Sequence, residues 1–144
     1  MSRVVLITGG SRGIGLACAK RFAELGGNIQ MDGKEVFRRA VRIMVDSAQK
    51  SMAHAGLTAD DIDVIVPHQA NIRIISAACD RLGIPMEKAA VVIHETGNTS
   101  SASIPLALFG NFGQVTPKQG DVVLMVGFGA GMTAASAIVE WGAQ

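Results

Sequence analysis

The sequence predicts an α/β fold: a mostly parallel, five-stranded sheet with helices on both faces and one antiparallel strand at its end. Three observations carry this expectation. Short apolar runs alternate with longer stretches whose apolar residues recur every three or four positions. Glycine is abundant, 17 in 144 residues, and gathers where one kind of run gives way to the other. The last two apolar runs are separated only by a glycine turn, too short for a parallel crossover, so they must pair antiparallel. With 49% hydrophobic residues the chain can bury one real core, which makes a single globular unit the starting expectation.

Val4 to Ile7 reads as the first strand, entering the turn Thr8-Gly9-Gly10, and Ile14 to Leu25 as a helix closed by Gly26-Gly27-Asn28. From Lys34 to Ala55, Phe37, Val41, Met44, Val45, Ala48 and Met52 form an apolar stripe with Arg38, Arg39, Arg42 and Asp46 between them, a surface helix of about five turns. Asp61 to Val66 reads as a strand, and Asn71 to Leu82 as an amphipathic helix stopped by Gly83 and Pro85. Ala89 to Ile93 is strand-like and Thr96 to Ser103 is a polar loop. Ser103 to Phe112 is a helix in which Pro105 fits only the first turn. Val122 to Val126 and Ala134 to Val139 are the last two strands, joined across Gly127-Phe128-Gly129-Ala130-Gly131.

Composition excludes several classes of function. A formal charge of +1 favours neither nucleic acid nor an anionic membrane as partner. Two cysteines, Cys18 and Cys79, are too few for a disulfide framework and fit free thiols in a reducing cytoplasm. The apolar run at the start is too short for a signal sequence. The uncharged stretch from Val122 to Val139 is broken by glycines and hydroxyl residues, so it reads as strand, turn and strand rather than a membrane span. His94-Glu95 lacks the second histidine of a zinc helix, and three histidines on separate elements make no metal site.

The turn Thr8-Gly9-Gly10-Ser11-Arg12-Gly13-Ile14-Gly15 follows a strand and opens a helix, the context in which helix amides can hold a dinucleotide pyrophosphate. The same turn also serves folding alone. These residues, with Leu16 to Gly26, resemble the opening of short-chain dehydrogenases, especially β-ketoacyl-ACP reductases. The resemblance covers residues 1–27 and implies Gly9, Ser11, Arg12, Gly13 and Gly15 as the NADPH-binding positions. The reductase chemistry needs a Tyr-x-x-x-Lys pair, and the chain contains no tyrosine. A folding role is therefore expected to outweigh cofactor binding.

A second pair of motifs, Val64-Ile65-Val66-Pro67-His68-Gln69-Ala70-Asn71 and Gly97-Asn98-Thr99-Ser100-Ser101-Ala102-Ser103, lies at strand ends, where ligands gather in such sheets. A lone histidine in that position is structural more often than catalytic. Together with Met31 to Phe37 upstream and Gly127 to Gly131 downstream, however, the motifs closely resemble β-ketoacyl-ACP synthase III. The match runs from about Met31 to the end, so residues 28–144 are expected to form the C-terminal half of a three-layer, thiolase-like fold. In that family a cysteine takes an acetyl group from acetyl-CoA, and malonyl-ACP then loses carbon dioxide and attacks the acyl thioester to begin a fatty acid.

By position the resemblance implies His68 and Asn98 as donors to the malonyl thioester oxygen and the backbone amide of Ala130 as donor to the acyl-cysteine oxygen. It implies Arg73 and Arg38 as contacts for acidic acyl carrier protein, although Arg38, Arg39 and Arg42 equally read as a solvated helix face. No cofactor is required. The family's nucleophilic cysteine lies in the N-terminal half; Cys18, past the first turn of its helix, and Cys79 are not nominated for it. The expectation is thus an incomplete acyltransferase, inactive in condensation by itself. Such a half should expose an apolar face that invites self-association unless Val4 to Ile7 supplies the missing first strand. The alternatives are a non-catalytic carrier-protein-binding module and a nucleotide-binding remnant.

Overall fold

The computed structural model describes residues 13–26, 33–109 and 115–142. The chain divides into two compact units, Met1–Val36 and Phe37–Gln144. In the first, α1 spans Gly13–Glu24. Gly26 ends it at φ 78°, its N–H donating to Ala23 O at 2.9 Å. The expected strand Val4 to Ile7, and with it the expected fifth strand of the sheet, lies outside the described residues, as do Gly9, Ser11 and Arg12.

The long helix α2, Gly33–Ala55, enters the second unit at Phe37, and its apolar stripe is buried as Ala40, Val41, Met44, Val45, Ala48 and Met52. It stops at Gly56, where φ 69° lets the Gly56 and Leu57 amides turn back onto the Ala53 and Met52 carbonyls. Strand β1, Val64–Pro67, is buried along its whole length. It starts later than the sequence pattern predicts because Asp61 is taken up in a turn, its carboxylate accepting from the amide and hydroxyl of Thr58.

Helix α3, Ile72–Leu82, is capped at both ends by side-chain and backbone chemistry that the sequence announces. Asn71 accepts from the Arg73 amide, and Gly83 at φ 74° closes the far end. A 3-10 turn, Met86–Lys88, leads to Ala89.

Here one expectation is corrected. Ala89 to Ile93 does not form a strand; it makes a single parallel bridge, Ile65 to Ala89, and a helical turn α4, Ile93–Thr96, follows at once. The Val92 and Ile93 amides go to a side chain, Gln69, instead of a neighbouring strand. A 3-10 turn, Ser100–Ala102, then leads into α5, Ser103–Phe109, with Pro105 in its first turn as expected.

Strand β2, Val122–Gly129, pairs parallel to β1, with Val64 opposite Val123, and antiparallel to β3, Thr133–Glu140. The hairpin is tighter than the sequence predicts. β2 continues through Gly127 to Gly129, and the turn is only Ala130–Met132, with positive φ at Gly131 and Met132. Among the described residues the sheet therefore has three strands in the order β1-β2-β3.

Alternation along the strands makes three layers. Ile65, Leu124 and Val126 pack with α2 and α3 on one face, while Val64, Val66 and Val123 pack with Ala107 and Leu108 of α5 on the other. β3 is the most exposed strand, and three hydroxyls tie it to α2: Ser136 Oγ lies 2.8 Å from Ser47 Oγ and 2.7 Å from Ser51 Oγ. No described helix is long and apolar enough to cross a membrane.

Candidate active site at the carboxyl end of the parallel strands

β1 ends on Pro67, and the next residue, His68, is fixed by its backbone: its N–H donates to Val126 O at 2.8 Å, continuing the pairing with β2. The half-buried imidazole then meets two other motifs. Its Nδ1 is 2.6 Å from Ser103 Oγ, at the start of α5 in the motif that carries Asn98. Its ring packs edge-on against Phe128 of the glycine turn, with centroids 5.5 Å apart. The strand runs close by the histidine: a β-carbon at Gly127 would lie in ordinary van der Waals contact with Ile104 Cδ1 at 3.5 Å and His68 Cβ at 3.6 Å.

Asn98 lies exposed in the loop between α4 and α5, with its orientation set locally. Its Oδ1 accepts the Ser100 amide at 3.0 Å, which leaves the Nδ2 hydrogens as the open donors of the side chain. The loop is bent to do this, with Gly97 at φ 64° and Ser100, a non-glycine residue, at φ 54°. Holding serine in that region costs on the order of 1 kcal/mol. Thr99 Oγ1, between them, is buried and has no partner among the described residues.

Gln69 is the buried anchor of the site and was not singled out by the sequence. It is fully enclosed, and its amide uses its whole hydrogen-bonding capacity: Nε2 donates to Pro67 O and Ala90 O, and Oε1 accepts from the Val92 and Ile93 amides. Ser103 is the other buried polar residue among the described residues, its hydroxyl accepting from the Gln69 backbone N–H at 3.3 Å. Both stand inside the motifs already quoted. The signal that could have found them was a polar side chain within an otherwise apolar strand end or helix start.

Burial lowers the pKa of His68 from its ordinary 6.5. The unfolded chain then binds the proton more readily than the folded one. The contribution to stability is fully present above the unfolded value and is lost as pH falls through it toward the folded value. Urea midpoints measured from about pH 8 down to about pH 5 are expected to decline, and His68→Gln should flatten the part of the decline that begins near 6.5. An equal slope in the variant would assign the loss to other groups.

The remaining expected site residues fall in different places. Ala130 opens the 3-10 turn between β2 and β3. Arg73 and Arg38 are both exposed, and the Arg73 guanidinium sits over the Phe37 ring at 5.7 Å, beside the segment of α2 that carries Arg38. Gly13 and Gly15 lie in the first turn of α1, in the other unit.

Cys79 is not built as a nucleophile. Cys79 is buried, and burial together with Asp80 pushes its thiol up to about 11. Cys18 is exposed. Iodoacetamide at neutral pH should therefore modify Cys18 and spare Cys79 in the folded chain, with both modified in urea, as read by mass spectrometry. Alkylation of Cys79 without denaturant would contradict its burial.

Solved structures share this sheet and its flanking helices. The 3-oxoacyl-[acyl-carrier-protein] synthase III of Aquifex aeolicus superposes with a TM-score of 0.73 at 40% identity, over 81% of this chain and 38% of that one. The Thermus thermophilus β-ketoacyl-[acyl carrier protein] synthase III superposes with a TM-score of 0.69 at 46% identity, over 80% of this chain and 36% of that one. The fold is therefore that of thiolase-like condensing proteins. The chain belongs to the 3-oxoacyl-[acyl-carrier-protein] synthase III C-terminal family, whose model matches residues 52–141.

Among curated relatives, β-ketoacyl-[acyl-carrier-protein] synthase III 2 of Deinococcus radiodurans is 50% identical over 118 residues, 82% of this chain and 35% of the relative. The synthase III of Staphylococcus saprophyticus is 50% identical over 116 residues, 81% of this chain and 37% of the relative. The chain thus spans little more than a third of the curated relatives it matches.

Proposed function

We propose that the chain supplies the malonyl half of a β-ketoacyl-ACP synthase III condensing centre, an acyltransferase site that starts fatty-acid chains. The single observation that carries this reading is the convergence of three motifs on one imidazole: the residue after β1 bears it, Ser103 of the Asn98 motif bonds it, and Phe128 near the end of β2 packs against it. When malonyl-ACP loses carbon dioxide, the electron pair of the broken C–C bond passes into an enolate on the thioester oxygen. His68 Nε2 and Asn98 Nδ2 are the donors proposed for that oxygen, and the depressed histidine pKa supports a neutral ring that donates rather than a cation. The Ala130 amide is the proposed donor to the acyl-cysteine oxygen.

In this reading acetyl-CoA and malonyl-ACP are the substrates, no cofactor is used, and the reaction is cytoplasmic. Exposed Arg73 and Arg38 form the docking patch for acidic carrier protein. The acyl-accepting cysteine belongs to the portion of the relatives that this chain does not span. The chain alone is accordingly an incomplete enzyme, able to decarboxylate but not to condense. Exposed Phe109 and Val139 support self-association through an apolar face. Residues 1–27 are proposed to be a dehydrogenase-like segment with a folding role, which would make the chain a chimera; α1, beginning at Gly13 within the glycine-rich motif, supports this.

The test is carbon dioxide release from malonyl-ACP by the purified chain and by His68→Ala. Release that depends on His68 is the expected result. A folded sample that releases none would refute the assignment.

A further inference from the structure

We infer that Ser103 is a positioning residue that sets the tautomer of His68: its hydroxyl donates to Nδ1 and so holds the ring proton on Nε2. Ser103 is fully enclosed, so its hydroxyl proton needs an acceptor within the protein. Two groups among the described residues bond its oxygen. One is the Gln69 backbone N–H, which can only donate. The other is His68 Nδ1 at 2.6 Å, the one partner of the pair that can accept.

If Nδ1 carried the proton instead, the oxygen would receive two donors and its own hydrogen would be left buried without a partner. With Nδ1 accepting, every group is satisfied. The Gln69 bond is itself fixed, because the side chain of that residue is locked by four backbone groups around the same corner. The serine is therefore held in place by the end of β1 and by the start of α5 at once. Its direction of donation follows from which neighbours can accept.

This role gives the proposed donor function of His68 its proton, and to that extent rests on the condensing reading. The tautomer itself can be measured without any substrate. In the full-length chain labelled with 15N, long-range proton-nitrogen correlation reports which ring nitrogen is protonated, and the His68 ring is identified by its loss in His68→Gln. Wild type is expected to show Nε2–H and a bare Nδ1. Ser103→Ala should shift the tautomer ratio toward the free-imidazole mixture by about tenfold, the equilibrium value of one ordinary hydrogen bond. Ser103→Thr, which keeps the hydroxyl, should restore the wild-type pattern.

An Nδ1–H signal in wild type, or a ratio unchanged in Ser103→Ala, would overturn the inference. Should the alanine variant not fold, the wild-type signal still decides the direction of donation. Failure of the two ideas is distinguishable. Nε2–H in a chain that releases no carbon dioxide removes the condensing role and leaves the serine's role standing, whereas His68-dependent release from an Nδ1–H ring keeps the decarboxylating site and removes both the serine's role and donation by Nε2.

Discussion

Gln69→Leu is expected to unfold the chain or bring it to the edge of unfolding. Leucine matches glutamine roughly in size, so little packing volume is lost, yet four backbone groups lose their partners at once: the carbonyls of Pro67 and Ala90 and the amides of Val92 and Ile93. Each buried group left without a hydrogen bond costs about 1–3 kcal/mol. Partial access of water at Ile93 lowers the sum, and roughly 4 kcal/mol remains. Domains of this size have a total stability of about 5–15 kcal/mol. Thermal melts followed by circular dichroism should show a Tm lower by on the order of 15 °C, or no cooperative transition. Gln69→Glu separates chemistry from shape. Ionised, it sets a carboxylate oxygen against the Pro67 and Ala90 carbonyls, so its stability should improve as pH falls and the carboxyl gains a proton. A Gln69→Leu protein that melts like wild type would mean that these four bonds contribute nothing net.

Asn98→Ala and His68→Ala are expected each to lower malonyl-ACP decarboxylation by about 10²–10³-fold, the usual cost of one oxyanion donor. Because both are proposed to serve one oxygen, the double variant should lose less than the product of the two single losses. Asn98→Asp is the sharper control. It keeps an acceptor for the Ser100 amide, so the loop geometry should survive, but it replaces the open amide donor with a carboxylate oxygen that repels the enolate. Loss in Asn98→Asp equal to or greater than that in Asn98→Ala supports donation by Nδ2. Full activity in Asn98→Asp would show that Asn98 only shapes the loop.

The parts of the fold that the sequence made legible are those set by local rules. The 3.6-residue stripe of α2, the Gly83 stop of α3, and the apolar strands fixed their elements to within a few residues. The segment from Ala89 to Ile93 differs from its reading because its composition is that of a strand, whereas the Val92 and Ile93 amides are claimed by Gln69, more than twenty positions away in sequence. β2 outran its expected end because glycines, read as turn formers, also fit an extended strand packed against a histidine. Within the site, the places of His68 after β1 and of Asn98 in the loop before α5 were legible through motif resemblance, and their roles are proposals. Ser103 and Gln69 were not, since their importance lies in partners that only the folded chain brings within reach. The roles of Arg38, Arg73 and Ala130 remain proposals of the same resemblance.

Helices α4 and α5, of four and seven residues, are far below the length at which a helix persists by itself. What keeps that stretch ordered includes the polar bonds sent out from the end of β1, those of Gln69 to the start of α4 and of His68 to the start of α5. Anchoring and the proposed chemistry therefore meet on one imidazole, Nδ1 holding the start of α5 and Nε2 left for the oxyanion. A substitution of His68 disturbs both at once, and the amides of residues 93–109 should be the first in the second unit to exchange with deuterium when the imidazole is protonated.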